Sequence, residues 1–312
     1  MKVALPELLR PHVAGALPSD AAVTWYADGT EVGAAARDVE VLYVHFWEPS
    51  QIATAIDGAA QLRWVATTAA GVDFLPLATM RERGITLTSG AGLPTIPVAE
   101  FAVLCVLSAA KNLPALVRAH DQHAWKQAPG RSELYESRAL IVGYGAIGQA
   151  IGTLLTAFGA EVTGVRRDPR GTPGVIGPSA WRPRVGEYDW LILAAAATPE
   201  TRGMIGRAEL AAMRPSAYLV NIARGALVDE AALAAALHAN EIAGAYLDVT
   251  TQEPLPPDHP LWRAPNAIIS GHSSGAATTR MAERAGALFL DNLDRYRRAE
   301  TLRNTIDLTR GY

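Results

Sequence analysis

Short apolar runs alternate along the chain with longer segments that have helical periodicity. Ten runs rich in Val, Ile, Leu and Tyr are predicted to be strands: VTWY, VEVLYVHF, LRWVATT, ITLTSG, ALIVGYG, EVTGVR, DWLILAA, AYLVNIA, AGAYLDV and AIISGH. Helix-like segments lie between most of them. This alternation favours parallel α/β units over an all-α or an all-β fold.

Two helical segments bear on how the chain divides. The segment from Val98 to Asn112 is apolar on nearly every face, which is typical of a buried helix, and Pro114 follows it. A boundary near Leu93–Pro94 would make this helix the entry to a second domain. The amphipathic segment from Thr278 to Arg298 would return to the first domain, which would then be discontinuous.

Composition limits the possible functions. The chain has 312 residues, 49% of them hydrophobic, and a formal net charge of −3, which predicts about two domains and favours neither nucleic acid nor a membrane surface as a partner. Its one cysteine, Cys105, allows no internal disulfide and no thiolate metal cluster, and we expect a buried, inert thiol rather than a nucleophile. The N-terminus has no long apolar stretch of the kind found in signal peptides, so a cytoplasmic protein is predicted. No metal site is predicted.

A glycine-rich turn follows the predicted strand ALIV. It has the pattern G-x-G-x-x-G and leads into an amphipathic helix. In such a turn the first glycine permits the tight bend, the second lets a pyrophosphate approach the backbone, and the third lets helix and strand pack closely. The N–H groups of the helix N-terminus then face the phosphates. The predicted cofactor-binding residues of this turn are Gly143, Gly145, Ala146, Ile147 and Gly148.

The next strand ends where a carboxylate would bind the adenosine ribose of NAD. Arg166 stands there, 23 residues after Gly143, close to the usual spacing of about 20, and Arg167 follows. A guanidinium can bind a 2′-phosphate that a carboxylate would repel, so NADPH/NADP is the preferred cofactor. The alternative is that both arginines are surface residues and Asp168, displaced by two positions, serves NAD.

Three further polar residues follow predicted strands. Arg224 follows AYLVNIA, Glu253 lies in the loop after AGAYLDV, and His272 ends AIISGH. Because ligands of open α/β sheets bind outside the carboxyl ends of the strands, all three should emerge at the cofactor's edge. His272 could then donate a proton, Glu253 orient its ring, and Arg224 bind a carboxylate. Taken singly, each also fits an ordinary role: a structural histidine, a solvated loop charge and a surface arginine.

At this point the chain resembles the D-2-hydroxyacid dehydrogenases, most closely from Leu134 to Gly275. The pieces that carry the resemblance are GYGAIGQAI, TPETRGMIGRAELAAMRPSAYLVNIARGALVDEAALAAAL, AGAYLDVTTQEPLPPDHPLW and SGHSSG, with LRWVATTAAGVDFLPL and VAEFAVLCVLSAAKNLP nearer the N-terminus. The resemblance implies two Rossmann-like, doubly wound parallel-sheet domains with a cleft between them. It implies a discontinuous substrate domain, residues 1–93 and 275–312, a dinucleotide-binding domain, residues 94–274, and a homodimer joined through the latter.

The resemblance also assigns site residues. It implies that Arg224, Glu253 and His272 form the catalytic set and that Asp248 contacts the nicotinamide carboxamide. It further implies that backbone N–H groups near Ala69, Ala70 and Gly71 hold the substrate carboxylate. Apart from the resemblance, His45, Phe46 and Trp47 at the end of an N-terminal strand either line the substrate pocket or pack in the core and at its rim.

Two departures from the family pattern matter. An arginine replaces the usual acidic residue at Arg166, as in the glyoxylate and hydroxypyruvate reductase branch, and LILAAAATPE has alanines where many members are more polar. Formate dehydrogenases share the fold but pair a glutamine with the histidine, so Glu253 in the pairing position disfavours formate oxidation. Phosphoglycerate dehydrogenases with regulatory domains are expected to be longer than this chain.

These observations predict an NADPH-dependent reductase of 2-oxo acids to D-2-hydroxy acids, of the glyoxylate/hydroxypyruvate type or of broader range. The particular 2-oxo acid stays open. One alternative is an NAD-dependent dehydrogenase of the same family. The other is a nucleotide-sensing binding protein of the corepressor type, which the lack of appended partner-binding tails is expected to disfavour.

Overall fold

In a computed structural model the chain is described over residues 1–45, 48–127, 129–130, 132–169, 171–275 and 278–311. It forms two compact α/β units, each built on a parallel sheet. The first unit comprises Met1–Pro94 and Ala277–Tyr312, and the second comprises Thr95–Ala276.

The first unit has a five-stranded parallel sheet in the order β2-β1-β3-β4-β5. Its strands are β1 Lys2–Pro6, β2 Ala22–Tyr26, β3 Val41–Val44, β4 Trp64–Thr67 and β5 Thr86–Thr88. Its α-helices are α1 Arg10–Val13, α2 Val32–Ala36, α3 Pro49–Gly58, α4 Leu77–Glu82 and α10 Thr278–Arg297. Helix α10 packs against α1 on one face of the sheet, where the rings of Trp64 and Phe289 stack with their centroids 5.4 Å apart.

The second unit has a seven-stranded parallel sheet in the order β12-β11-β10-β9-β6-β7-β8. Its strands are β6 Arg138–Val142, β7 Glu161–Val165, β8 Val175–Ile176, β9 Trp190–Leu193, β10 Tyr218–Asn221, β11 Gly244–Leu247 and β12 Ala267–Ile269. Its α-helices are α5 Thr95–Ala110, α6 Leu113–Asp121, α7 Ala146–Ala157, α8 Arg207–Ala212 and α9 Glu230–His238.

Side chains of the larger sheet alternate between two cores, as the period of a strand requires. Along β6, Leu140 and Val142 enter one core, whereas Ala139 and Ile141 enter the other. Both sets are buried because helices cover both faces, which is why β6 reads as a continuous apolar run in the sequence. The strand order reverses between β6 and β9, and such a reversal opens a crevice outside the carboxyl ends of the strands.

All ten predicted strands overlap observed ones, which confirms the predicted fold class of doubly wound parallel α/β. Two strands were missed, β1 and β8. Helix α5 begins at Thr95 rather than Val98, and it is not buried all round, because Ile96 and Leu104 are more than half exposed.

Among the described residues no single helix is long and apolar enough to cross a bilayer, although α5 and α6, bent by 71°, meet that criterion as a pair.

Candidate active site

Each of three neighbouring strands of the larger sheet is followed by one of the predicted catalytic residues. Arg224 follows β10, Glu253 lies in the loop after β11, and His272 follows β12. Since β10, β11 and β12 are parallel neighbours, their carboxyl ends lie at one edge of the sheet. All three residues therefore belong to one unit and one edge.

The imidazole of His272 is paired with a carboxylate. Its Nδ1 lies 2.8 Å from Oε2 of Glu253. This hydrogen bond, aided by the charges of Glu253 and Asp248 and opposed by burial and Arg224, raises the pKa of His272 above its usual value. Burial would raise the pKa of Glu253, but hydrogen bonds from His272 and the N–H of Thr250 outweigh it and hold that pKa below its usual range. The pair thus favours a protonated ring beside an ionised carboxylate.

Asp248 fixes the loop that carries the histidine. The backbone of His272 has φ 55°, and its N–H donates to the carbonyl of Asp248 at 2.5 Å. The buried carboxylate of Asp248 accepts from the hydroxyl of Ser270 and the N–H of Ser273, both at 2.7 Å, and from the N–H of Ser274 at 3.1 Å. These bonds hold a left-handed conformation that is uncommon outside glycine. A contact between Asp248 and a carboxamide stays a prediction.

The segment after β10 is shaped by Asn221, which the sequence did not single out. Its buried side chain donates to the carbonyl of Arg224 at 2.9 Å and accepts from the N–H of Ala223 at 3.1 Å. The guanidinium of Arg224 donates to the carbonyl of Ala223 at 2.8 Å. Its positive charge lowers the pKa of both Glu253 and His272, so it lies within electrostatic reach of the pair.

Gly225 brings the arginine segment against the glutamate loop. A Cβ built on Gly225 would lie 1.9 Å from the carbonyl carbon of Thr250 and 2.2 Å from the nitrogen of Thr251. Only glycine permits this backbone contact, which links Arg224 to the loop of Glu253. In the sequence, only the glycine directly after Arg224 hints at this close approach. A single sequence does not show which backbone a glycine approaches.

The glycine-rich turn follows β6 at the strand reversal. Gly143 has φ 102°, and a Cβ there would lie 2.3 Å from the nitrogen of Ala195, which follows β9. A Cβ on Gly148 would lie 2.2 Å from the carbonyl oxygen of Gly143. Both positions exclude a side chain because backbone packs directly against them.

In contrast, Gly145 faces open space. It is the N-cap of α7, whose first residues are Ala146 and Ile147, and it supplies no capping side chain. Gly145 and Ala146 are exposed, and the first turn of α7 contains no acidic residue. A helix N-terminus of this kind suits a pyrophosphate, so these residues fit a dinucleotide cofactor.

The two arginines after β7 have different surroundings. Arg166 is exposed, and its backbone N–H donates to β8 at 3.2 Å. Arg167 lies within electrostatic reach of Glu200: hydrogen bonds from Thr198 and from the Glu200 backbone lower the pKa of that carboxyl, and the charge of Arg167 lowers it further. Asp168 is also exposed. This geometry places a guanidinium at the end of β7 and leaves the cofactor preference as a prediction.

The predicted carboxylate-binding turn lies in the first unit, directly after β4. The N–H of Ala69 donates to the hydroxyl of Thr67 at 3.2 Å, and its carbonyl accepts from Gly90 at 2.8 Å. Ala70 is exposed, and within the described residues no protein acceptor is recorded for the N–H groups of Ala70 and Gly71.

Burial shifts the pKa of two further candidate residues, Cys105 and His45. Burial raises the pKa of the Cys105 thiol to about 12, in keeping with an inert thiol. Burial lowers the pKa of His45, whereas Phe46 and Trp47 lie outside the described residues. No group of three or more His, Cys, Asp or Glu side chains that could hold a metal ion occurs in the described ranges.

Comparisons with known proteins bear on this site. Residues 103–274 match the family model of the D-isomer specific 2-hydroxyacid dehydrogenase NAD binding domain. The chain is 34% identical to the glyoxylate reductase/hydroxypyruvate reductase of Mus musculus over 260 residues, which cover 80% of this chain and 78% of that protein. It is 31% identical to the D-3-phosphoglycerate dehydrogenase of Methanocaldococcus jannaschii over 81% of this chain, but it spans only 49% of that relative's length.

A solved structure extends the similarity. The NADPH-dependent glyoxylate/hydroxypyruvate reductase of Sinorhizobium meliloti, in complex with NADP and malonate, superposes with a TM-score of 0.81 at 28% identity. The match covers 99% of this chain and 97% of that one.

Proposed function

Because the chain belongs to the D-isomer specific 2-hydroxyacid dehydrogenase family, whose members are enzymes that use a nicotinamide dinucleotide, we propose that it is an NADPH-dependent reductase of 2-oxo acids to D-2-hydroxy acids. The observation that carries the proposal is the 2.8 Å contact between His272 and Glu253, within electrostatic reach of Arg224 at the carboxyl edge of the sheet. A relative and a structural neighbour named glyoxylate/hydroxypyruvate reductases support a small 2-oxo acid as substrate.

His272 is the proposed general acid. Its Nδ1 is held by Glu253, so proton transfer to the developing alkoxide falls to Nε2. The raised pKa extends the protonated form of the ring to higher pH, which suits a proton donor. In the oxidative direction the neutral ring would accept the same proton. When bound, the reduced nicotinamide supplies the hydride.

Arg224 is the proposed anchor of the substrate. A guanidinium binds a carboxylate through two parallel hydrogen bonds and polarises an adjacent carbonyl. The turn of Ala69, Ala70 and Gly71 keeps its predicted role of holding the substrate carboxylate, which is supported by the N–H groups of Ala70 and Gly71.

An assay panel tests the activity. Oxidation of NADPH and NADH is followed with glyoxylate, hydroxypyruvate, pyruvate and larger 2-oxo acids. His272→Ala should lower kcat by about 10²–10⁴-fold with the best substrate, the usual range for a general acid. His238→Ala, at the exposed end of α9, is the matched control and should keep full turnover. Near-normal turnover of His272→Ala would contradict the assignment.

A lack of activity with every acid in the panel would lead to a different conclusion. If the unaltered protein binds NADPH tightly but reduces none of these acids, the reductase proposal fails and the nucleotide-sensing alternative is favoured.

The preference for NADPH rests on Arg166. Its exposed guanidinium at the end of β7 can pair with a 2′-phosphate, whereas Arg167 already lies near Glu200. Arg166→Asp should lower kcat/KM for NADPH by at least about tenfold, as expected when a charged pair worth 1.5–3 kcal/mol is lost. The value of kcat/KM measured with NADH is the internal reference, so the result is the ratio of kcat/KM for NADPH to kcat/KM for NADH. Arg207→Asp on α8 is the control. An unchanged ratio would return Asp168 and NAD to consideration.

A homodimer joined through the nucleotide-binding unit is also proposed. Exposed apolar side chains on α5, α6 and the segment after them support it, since such surfaces mark protein interfaces.

A further inference from the structure

The loop that carries Glu253 is held by a residue of a neighbouring helix. Glu230, the first residue of α9, accepts a hydrogen bond through Oε1 from the N–H of Thr251 at 2.6 Å. Its Oε2 lies 3.6 Å from Nε2 of His259, at the far end of the same loop. Both side chains are largely buried, with 12% and 26% of their surface exposed. One carboxylate thus contacts both ends of the loop.

The ring of His259 is oriented for this contact. Its Nδ1 accepts a hydrogen bond from the N–H of Leu261 at 3.4 Å. An accepting Nδ1 carries no proton, so in the neutral ring the proton is on Nε2, which faces Glu230. His259 also caps the short 3₁₀ helix Pro260–Arg263.

Helix capping does not account for Glu230. The N-cap of α9 is Asp229, whose side chain accepts from the N–H of Ala232 at 3.0 Å. Glu230 therefore directs its carboxylate to the loop after β11, away from its own helix.

The contact lies two residues from the catalytic carboxylate. Thr250 donates its N–H to Oε1 of Glu253 at 3.0 Å and its hydroxyl to the carbonyl of Gln252 at 2.8 Å. The Thr250–Thr251 peptide also packs on Gly225. The Thr250–Thr251 peptide is therefore packed on Gly225 and bonded through its N–H to Glu230, and Glu253 accepts from the N–H of Thr250 in the adjacent peptide.

We propose that Glu230 is a positioning residue: through the N–H of Thr251, and with His259 as its second partner, it holds the loop so that the Glu253 carboxylate stays against His272. This inference rests on the proposed function, because it assumes that the pair transfers the proton. Glu230 acts through the loop, and the charged groups that act on His272 itself are Glu253, Asp248 and Arg224.

The test compares three variants with the unaltered enzyme. Glu230→Ala removes the acceptor, Glu230→Gln keeps an oxygen that can accept from Thr251, and Glu241→Gln, three residues after the end of α9, is the matched control. Each is assayed for kcat and KM of the best 2-oxo acid between pH 5 and 10, and its thermal unfolding is recorded.

Glu230→Ala should lower kcat by about tenfold, which is less than the 10²-fold that a full 1 Å misplacement can cost. It should also move the basic limb of kcat/KM to lower pH, because a displaced Glu253 would stabilise the protonated ring less. Glu230→Gln should restore most of both values, and Glu241→Gln should match the unaltered enzyme.

A purely structural role would lower the melting temperature and the active fraction in Glu230→Ala but leave the pH profile in place, which would overturn the inference. An unchanged kcat in a stably folded Glu230→Ala would also overturn it. Failure of the proposed function is distinguishable, because it would appear in the unaltered enzyme, or as normal turnover in His272→Ala.

Discussion

At the scale of the residue, the site depends on how charges surround one imidazole. Two carboxylates, Glu253 and Asp248, favour the protonated ring of His272, whereas burial and Arg224 oppose it. The direct hydrogen bond to Glu253 is the largest influence and decides the direction, so the pKa is raised. Asp248 contributes to the pKa and also fixes the backbone through Ser270 and Ser273.

The pH profile of Glu253→Gln tests this balance. A group whose pKa is raised holds its proton to higher pH, so reduction by the unaltered enzyme should persist above the usual histidine pKa of about 6.5. Removing the carboxylate charge should move the basic limb of kcat/KM for the 2-oxo acid to lower pH, because the largest influence that raises this pKa is lost. Steady-state rates between pH 5 and 10 measure the shift, with Glu241→Gln as control. A limb that stays in place would show that Glu253 does not set this pKa.

At the scale of the element, apolar runs were enough to find most strands. β6, β9, β10 and β11 are buried on both faces, so each appears as a continuous apolar segment bounded by turns. β1 was missed because it ends in Pro6, and a proline within a run argues against a strand. β8 has two residues between glycines, too few to show a period.

The candidate site was only partly predictable for a related reason. Strand ends place Arg224 and His272 at one edge by topology alone, because parallel strands share the direction of their carboxyl ends. Glu253 is different, since it reaches the histidine only because its loop folds back over Gly225. That fold depends on contacts from Glu230 and His259, which no periodicity in the sequence encodes.

Gly225→Ala tests the contact between these two segments. The added methyl would overlap the Thr250–Thr251 peptide, so the loop must move. We expect a loss of about 1–3 kcal/mol in the free energy of unfolding, the usual cost of overpacking, and a fall in kcat of up to about 10²-fold through displacement of Glu253. Chemical denaturation and steady-state kinetics measure the two effects.

Gly177→Ala is the matched control, because a Cβ there meets nothing within 4 Å and its φ is not positive. If both variants behave alike, the close approach at Gly225 does not position the site.

At the scale of the whole molecule, strand order accounts for where chemistry gathers in the larger unit. The order reverses between β6 and β9, and the turn of Gly143 packs on the residues that follow β9. The carboxyl ends of β10, β11 and β12 continue the same edge with the three catalytic candidates. Elsewhere in this unit several apolar side chains are exposed: Ile96 and Leu104 on α5, Leu116 and Val117 on α6, and Trp125 after α6.

The last prediction concerns assembly. Burial of these exposed side chains would release about 25 cal/mol for each Å² of apolar surface removed from water, so a second copy of the chain is the partner we expect here. The unaltered protein should elute as a dimer in size-exclusion chromatography with light scattering. Leu104→Lys combined with Val117→Lys should shift it toward the monomer, because an interface core disfavours charge. Leu8→Lys, at a comparably exposed leucine of the first unit, should stay dimeric. A monomeric unaltered protein, or a dimer broken by Leu8→Lys alone, would refute the assignment of this surface.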